Sequence, residues 1–229
     1  MQSATHIDGI RHAPTSRTVN VVRSDTVKVD SLSQSMNLMG AMMAYSPNSE
    51  IFGENEPTDY LYKVVSGSVR TYKILSDGRR QVSGFYLPGD IFGLEFSDEH
   101  TLSAEAISDA KVLVVKSSAL SALAARDPSV AQQLFALTGR ELHRVQDRIL
   151  LLIKNARERV ASFLLEMAER ASENNTIELP MSRQDIADYL GLTIETVSRT
   201  LTSLETASAI EVSASSRRIV LRNRAALAA

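Results

Sequence analysis

Residues 181–205 read Met-Ser-Arg-Gln-Asp-Ile-Ala-Asp-Tyr-Leu-Gly-Leu-Thr-Ile-Glu-Thr-Val-Ser-Arg-Thr-Leu-Thr-Ser-Leu-Glu. Ser182 followed three residues later by Asp185 resembles a capping box, where a hydroxyl and a carboxylate each satisfy a backbone N–H at a helix start. Ile186, Ala187 and Leu190 give this helix an inner face, and Gly191 permits the left-handed turn that ends it. Thr193 caps a second helix with Val197, Leu201 and Leu204 inside. Ala187 is small enough for the two helices to cross closely. Caps, glycine, small residue and periodicity agree on a helix-turn-helix.

In that geometry the second helix enters the DNA major groove by its N-terminal half. Glu195, Ser198 and Arg199 then point outward. Arg donates a bidentate pair to guanine O6 and N7, and Glu accepts from the N4 amino group of cytosine. Lying four residues apart on one face, the two can address a single G·C pair. Taken alone, the same spacing is also an ordinary exposed ion pair, with Glu195 favoured near the helix N-terminus. The segment holds only Arg183 and Arg199 against Asp185, Asp188, Glu195 and Glu205, so phosphate contacts must come largely from elsewhere. Ser182 and Arg183 at one helix N-terminus, and Thr193 and Thr196 at the other, are candidates.

Downstream, Ala209–Val212 and Arg218–Leu221, joined through Ser213–Arg217, read as a hairpin wing. Its Arg217 and Arg218, followed by Arg222 and Arg224 and set against Glu211, are the best phosphate contacts, or else a solvated hairpin face. Upstream, Ala156–Ala171 carries Val160, Phe163, Leu164 and Met167 at helical spacing, and residues 172–175 break it. Lys154-Asn155 reads as a hinge. Before it, Pro128 to Ile153 form a long helix opened by Asp127 and Pro128. Val130, Leu134, Leu137, Leu142, Val145, Ile149 and Leu152 suggest one apolar stripe, and residues 149–153 are apolar all round. Such a helix is a central core helix of a monomer or the two-fold seam of a coiled-coil dimer. For the seam, Leu134, Leu142, Val145, Ile149, Leu152 and Ile153 are the candidates.

From Glu50 to Val115 the pattern changes to short strands punctuated by turns. Tyr60–Val65 and Ser68–Leu75 flank Ser66-Gly67, which reads as a hairpin turn, and Ser76-Asp77-Gly78 separates the latter from Arg79–Leu87. Thr101–Ile107 and Lys111–Val115 follow. Strands at this spacing without intervening helices imply a small antiparallel barrel or sandwich. Ahead of them, Leu32, Met36, Met39 and Met43 fall at helical spacing over 31–45, either a plastic binding surface or a helix packed on the strands. The expected class is α+β: a polar N-terminal extension (1–30), a barrel or β-roll (31–127), a dimerisation helix (128–153) and a winged helix-turn-helix (154–229).

The 229 residues are 44% hydrophobic, enough to bury a core, and 25 basic side chains nearly balance 27 acidic ones. Residues 154–229 hold 10 of each sign, so any DNA-binding surface must be built by geometry rather than bulk charge. No apolar run approaches the roughly 18 residues of a membrane span, and residues 1–30 carry no signal-peptide centre. The expected location is the cytoplasm. Zero cysteines exclude disulfides, zinc–thiolate sites, iron–sulfur clusters and Cys nucleophiles. His6, His12, His100 and His143 include no His-x₃-His pair to seat a metal, and no phosphate-binding loop, dinucleotide fingerprint or nucleophile elbow is present. An enzyme is not expected.

Across residues 30–225 the chain resembles the CRP/FNR family of dimeric transcription regulators. The resemblance rests on Leu61–Arg70, Gly84–Gly93, Asp147–Leu152 and Glu195-Thr196-Val197-Ser198-Arg199. It implies that Glu195, Ser198 and Arg199 read a TTGA-type half-site of an inverted repeat. Ile194, a further base-contact position, stands where the cyclic-AMP receptor has an Arg, which argues against that receptor's site preference. The resemblance also implies an RNA polymerase contact at the turn holding Asp77 and Gly78.

The departures are informative. Where the family's nucleotide pocket needs a Gly-Glu-Leu turn and an Arg-Ser/Thr-Ala grip, this chain has Gly93-Leu94-Glu95 and Leu102-Ser103-Ala104. A buried phosphate would lack its counter-charge. With no cysteine cluster and only His100 as a haem ligand, no cofactor is expected. The resemblance implies a FixK-type activator that works without a small effector and controls low-oxygen respiration or nitrogen fixation. The alternative is a metabolite-gated regulator whose barrel binds an uncharged or dicarboxylate ligand.

Overall fold

The computed structural model describes residues 31–228 except Phe96, Leu152, Asn174 and residues 214–216. The N-terminal extension expected over 1–30 lies outside the described residues. Helix α1 (Ser31–Met39) buries Leu32 and Met36 and then stops, and the chain enters strand β1 (Ala41–Tyr45). The methionine spacing therefore misled beyond Met39. A Cβ at Gly40 would lie 2.7 Å from the Leu113 side chain, so glycine lets the chain turn hard against its neighbour strand. Pairing with that strand then outweighs local helical periodicity.

Strands β2 (Glu50–Phe52), β3 (Tyr60–Ser66), β4 (Val69–Ile74), β5 (Arg80–Tyr86), β6 (Ile91–Phe92), β7 (Ser103–Ala106) and β8 (Ala110–Lys116) complete the first half. They form two antiparallel four-stranded sheets, ordered β1-β8-β3-β6 and β2-β7-β4-β5. This is an open β-roll rather than a closed barrel. Ser66-Gly67 does not close a hairpin, because β3 and β4 belong to different sheets. Gly67 has φ 78°, and a Cβ there would fall 2.2 Å from the Asp109 carbonyl oxygen, so the residue makes a corner between sheets that no side chain fits. The β4–β5 pair is the hairpin, closed by Leu75–Arg79 with the Leu75 N–H donating to the Arg79 carbonyl at 2.8 Å.

Phe52, Tyr62, Val64, Val69, Phe92 and Val112 fill the roll. His100 is buried there, stacked on Phe52 at 3.7 Å between ring centroids. A second core lies where α1, α2 (Ser117–Ala124) and the start of α3 (Pro128–Leu151) cover the outside of β8 and β3. Asp127 accepts from the Ser129 N–H at 2.8 Å, supplying the expected cap of α3.

After α3, Asn155 and Glu158 exchange bonds of 2.9 and 3.0 Å with each other's N–H groups, which starts α4 (Ala156–Ala171). Residues 172–175, expected only as a break, contain β9 (Ser172–Glu173), and β10 (Thr176–Glu178) follows directly. Then come α5 (Arg183–Leu190), α6 (Ile194–Thr206), β11 (Ile210–Val212), β12 (Arg218–Leu221) and α7 (Arg224–Ala228). The wing strands β11 and β12 thus belong to a four-stranded sheet, β11-β12-β10-β9. The core beneath it joins Phe163, Leu164, Ile177, Ile186, Val197, Leu204 and Ile219 with Val82 and Phe85 of the roll. Each such side chain contributes roughly 1.5–3 kcal/mol on burial, so this shared core holds roll and helix-turn-helix together. Among the described residues no helix is long and apolar enough to cross a membrane.

Candidate nucleic-acid interface

The local chemistry of the motif follows its residues closely. The Ser182 hydroxyl accepts from the Asp185 N–H at 3.1 Å, and the Asp185 carboxylate accepts from the Ser182 N–H at 2.9 Å. Gly191 sits at φ 64°, ψ 41°, and the Leu192 N–H reaches back to the Ala187 carbonyl at 3.0 Å. Ala187 is fully buried at the crossing. Thr193 accepts from the Thr196 N–H at 3.2 Å and starts α6, whose Val197, Leu201 and Leu204 face inward.

Outside, Ile194, Glu195 and Arg199 are exposed and Ser198 is half-buried. The backbone N–H at the start of α6 and the Thr193 hydroxyl hold the Glu195 carboxyl below the usual range, with Arg199 adding to the effect. Glu195 is therefore a standing anion and acceptor. With Arg199 one turn on, α6 offers an acceptor and a fork of donors side by side, the pair that matches a C·G edge.

The phosphate candidates divide. Ser182 already donates its hydroxyl to Asp185 at 2.7 Å, which leaves backbone N–H groups and the half-buried Arg183 at that helix start. Thr193 is exposed and Thr196 half-buried, their hydroxyls 3.1 Å apart. Arg217 and Arg218 are exposed and, with Glu178, line a cleft of about 830 Å³ between the wing sheet and Gly67, Ser68 and Pro88 of the roll. Arg222 is engaged with Glu211, its Nε donating at 2.9 Å.

The apolar stripe of α3 splits into two faces. Val130 and Leu137 are buried, and Leu134 packs against the same core, so Leu134 is turned toward its own roll. Leu142, Val145 and Ile149 are exposed, as is Ile153 in the turn after α3. Leu152 lies outside the described residues. Phe135, outside the stripe expected from the sequence, is 81% exposed. Counting by sevens finds it, since Phe135, Leu142 and Ile149 share one heptad position, with Val145 between the last two. Asp77 and Gly78 are exposed at the tip of the β4–β5 hairpin, where Arg79 donates to Asp77 from its N–H at 3.0 Å and its Nε at 2.7 Å.

Inside the roll, a cavity of about 200 Å³ is lined by Gly93, Leu94, Glu95, Leu102, Tyr86 and residues of α3 and α4. Its cations are engaged: Arg144 with Glu141 at 2.6 Å, Arg170 with Asp90 at 2.6 Å and Glu166 at 3.2 Å, and Arg148 with the Val82 carbonyl at 2.6 Å. Burial lifts the Glu141 carboxyl above its usual range against the pull of Arg144, and pushes the Tyr86 hydroxyl up to about 12. Burial also works to raise Glu95, but bonds from His100 and Thr101 prevail and hold it below its usual range. Among the described residues no group of His, Cys, Asp or Glu side chains is assembled to hold a metal ion.

Known proteins carry the same two parts. Residues 42–127 match the cyclic nucleotide-binding domain, and residues 158–229 match the Crp-like helix-turn-helix domain. The nitrogen fixation regulation protein FixK of Azorhizobium caulinodans is 50% identical over 195 residues, 82% of this chain and 78% of that protein. The chain belongs to the CRP/FNR family. It is a DNA-binding transcription regulator of that family, similar to FixK proteins. The FixK of Rhizobium meliloti is 43% identical over 173 residues, 72% of this chain and 76% of its own. The solved structure of FixK2 from Bradyrhizobium japonicum superposes with a TM-score of 0.80 at 52% identity, covering 83% of this chain and 96% of that one.

Proposed function

We propose that this CRP/FNR regulator acts as a homodimer on a TTGA–TCAA inverted repeat, without a small effector, as a cytoplasmic activator of low-oxygen respiration or nitrogen-fixation genes. The observation that carries it is the exposed Glu195–Arg199 pair on α6, whose Glu195 carboxylate is kept ionised by its own helix start. In this reading Glu195, Ser198, Arg199 and Ile194 face the bases, and Ser182, Arg183, Thr193, Thr196, Arg217 and Arg218 face phosphates. The dimer forms through Phe135, Leu142, Val145, Ile149, Leu152 and Ile153, a seam whose described members are exposed in the single chain. Effector independence is supported by the cavity's arginines from α3 and α4: Arg144 and Arg170 are paired with carboxylates and Arg148 with the Val82 carbonyl. The division into 1–30, 31–127, 128–153 and 154–229 belongs to the same proposal.

Selection of bound DNA from a random pool tests both function and half-site. Recovery of TTGA–TCAA repeats is the expected result, and recovery of unrelated single sites overturns the reading. We place the RNA polymerase contact at Asp77 and Gly78, a polar tip with no packing role in the roll. Asp77→Ala is expected to lower transcription in vitro while DNA affinity holds; equal loss of both assigns the tip to folding. The metabolite-gated reading has the cavity of about 200 Å³ as its support. A ligand screen by thermal shift on the full chain decides between the two.

A further inference from the structure

The first helix of the motif, α5, turns two carboxylates three residues apart toward the roll. Asp185 is buried, its Oδ1 3.0 Å from Arg70 Nη1 and 2.6 Å from Arg80 Nη2. Its Oδ2 takes the Ser182 N–H and hydroxyl, so this carboxylate caps α5 and joins it to the roll at once. Asp188 accepts from Arg80 Nε at 2.9 Å, and the Asp188 carbonyl accepts from Gln81 Nε2 at 2.6 Å. Arg70, only 7% exposed, is held from behind by Glu105 of β7, its Nε donating at 2.6 Å. Both arginines stand on the β4–β5 hairpin. The same hairpin takes Arg148 of α3, which donates to the Val82 carbonyl at 2.6 Å and lies 4.5 Å over the Tyr189 ring of α5.

Adhesion alone does not call for this arrangement. Well-packed apolar side chains of similar volume are often as stable as buried ion pairs, or more so. What the guanidiniums add is direction, because their donors lie in a fixed fork. Two anchor points along α5 fix the angle of the helix as well as its place. The close crossing at Ala187 and Gly191 passes that angle to α6. Half-sites about 34 Å apart put each recognition helix about 17 Å from a dimer axis. A swing of about 10° at that radius moves it by about 3 Å, close to the step of about 3.4 Å between base pairs.

We propose that Arg70 and Arg80 are positioning residues for DNA recognition: acting through Asp185 and Asp188, they set the separation of the two recognition helices and so the half-site spacing the dimer accepts. This rests on the reading as a homodimer on an inverted repeat. Burial shields these pairs from salt, so the spacing preference should persist at ionic strengths that weaken phosphate contacts.

The test is a mobility-shift series on the full chain, using TTGA–TCAA repeats at the selected spacing and at one and two base pairs shorter or longer. Wild type is expected to prefer one spacing over its neighbours by about tenfold, the scale of one mismatched pair. Arg80→Gln, at a partly exposed position that tolerates a polar side chain, is expected to flatten that ratio to about threefold or less. Arg80→Glu, which sets a carboxylate against Asp185, Asp188 and Glu105, is expected to flatten it as well, and Arg80→Lys, which keeps the cation, to retain most of it. An unchanged spacing profile in Arg80→Gln overturns the proposal. So does an equal loss at every spacing, or a gain in affinity at the preferred one, which would mean that the pairs hold a non-binding pose. A wild type without any spacing preference overturns the inverted-repeat reading itself.

Discussion

Facing the cavity of the roll, Arg144 sits against Glu141, and Arg170 sits against Asp90 and Glu166. On α6, Glu195 and Arg199 face outward, and among the described residues no hydrogen bond ties either to another element. Both places gather cations and carboxylates. Beside the cavity Arg144 and Arg170 each meet a carboxylate and Arg148 donates to the Val82 carbonyl, and an incoming anion would have to break those pairings. On α6 the donors and the acceptor stay exposed, and in the proposed reading a base edge completes them. Under that reading the first part is satisfied by its own chain and the second is completed by DNA.

The largest effect that would test this contrast is at Arg199. Arg199→Ala is expected to cost about 1–3 kcal/mol per half-site and to relax the choice at the G·C pair, measured on matched and mismatched repeats. Loss of the same size on every sequence would make Arg199 a phosphate contact. Ile149→Glu comes next, bringing two like charges together at the proposed two-fold seam. Mostly monomer by ultracentrifugation is expected, with a loss in specific affinity of at least about tenfold. A variant that stays dimeric moves the interface off this face of α3. Arg217→Ala should weaken all sequences alike and lower the salt slope by about one. The smallest change is expected from the interior: about 1 mM cyclic AMP should alter affinity by no more than roughly twofold, since a ligand without differential affinity shifts no population. A band seen only with the nucleotide would give the roll back its sensing role.

The motif was legible because its determinants are local. Ser182 with Asp185, Gly191, and Thr193 act within four residues of themselves, and the sequence carries each in order. The face of α3 proposed as the dimer seam was half legible. Its heptad runs through Phe135, Leu142 and Ile149, but Val130 and Leu137 overlay it with a second apolar face that belongs to the roll. Where the reading failed, the deciding partner was far away in the chain. Met43 fits a helix until β8 claims its backbone, and Gly67 fits a hairpin until Asp109 crowds it. Strand β10 exists by pairing with β12, forty residues on. Asp185 looked like a cap alone, since nothing in its neighbourhood hints at Arg70 and Arg80.

The double engagement of Asp185 bears on how portable this DNA-binding half is. Cut from its roll and fused to another, α5 would keep its cap, but the carboxylate would face a foreign surface without either guanidinium. An unpaired buried charge of that kind is costly. A working chimaera would have to carry the β4–β5 hairpin along with the helix-turn-helix, so the transferable unit is discontinuous: two stretches of sequence about a hundred residues apart, joined through one aspartate.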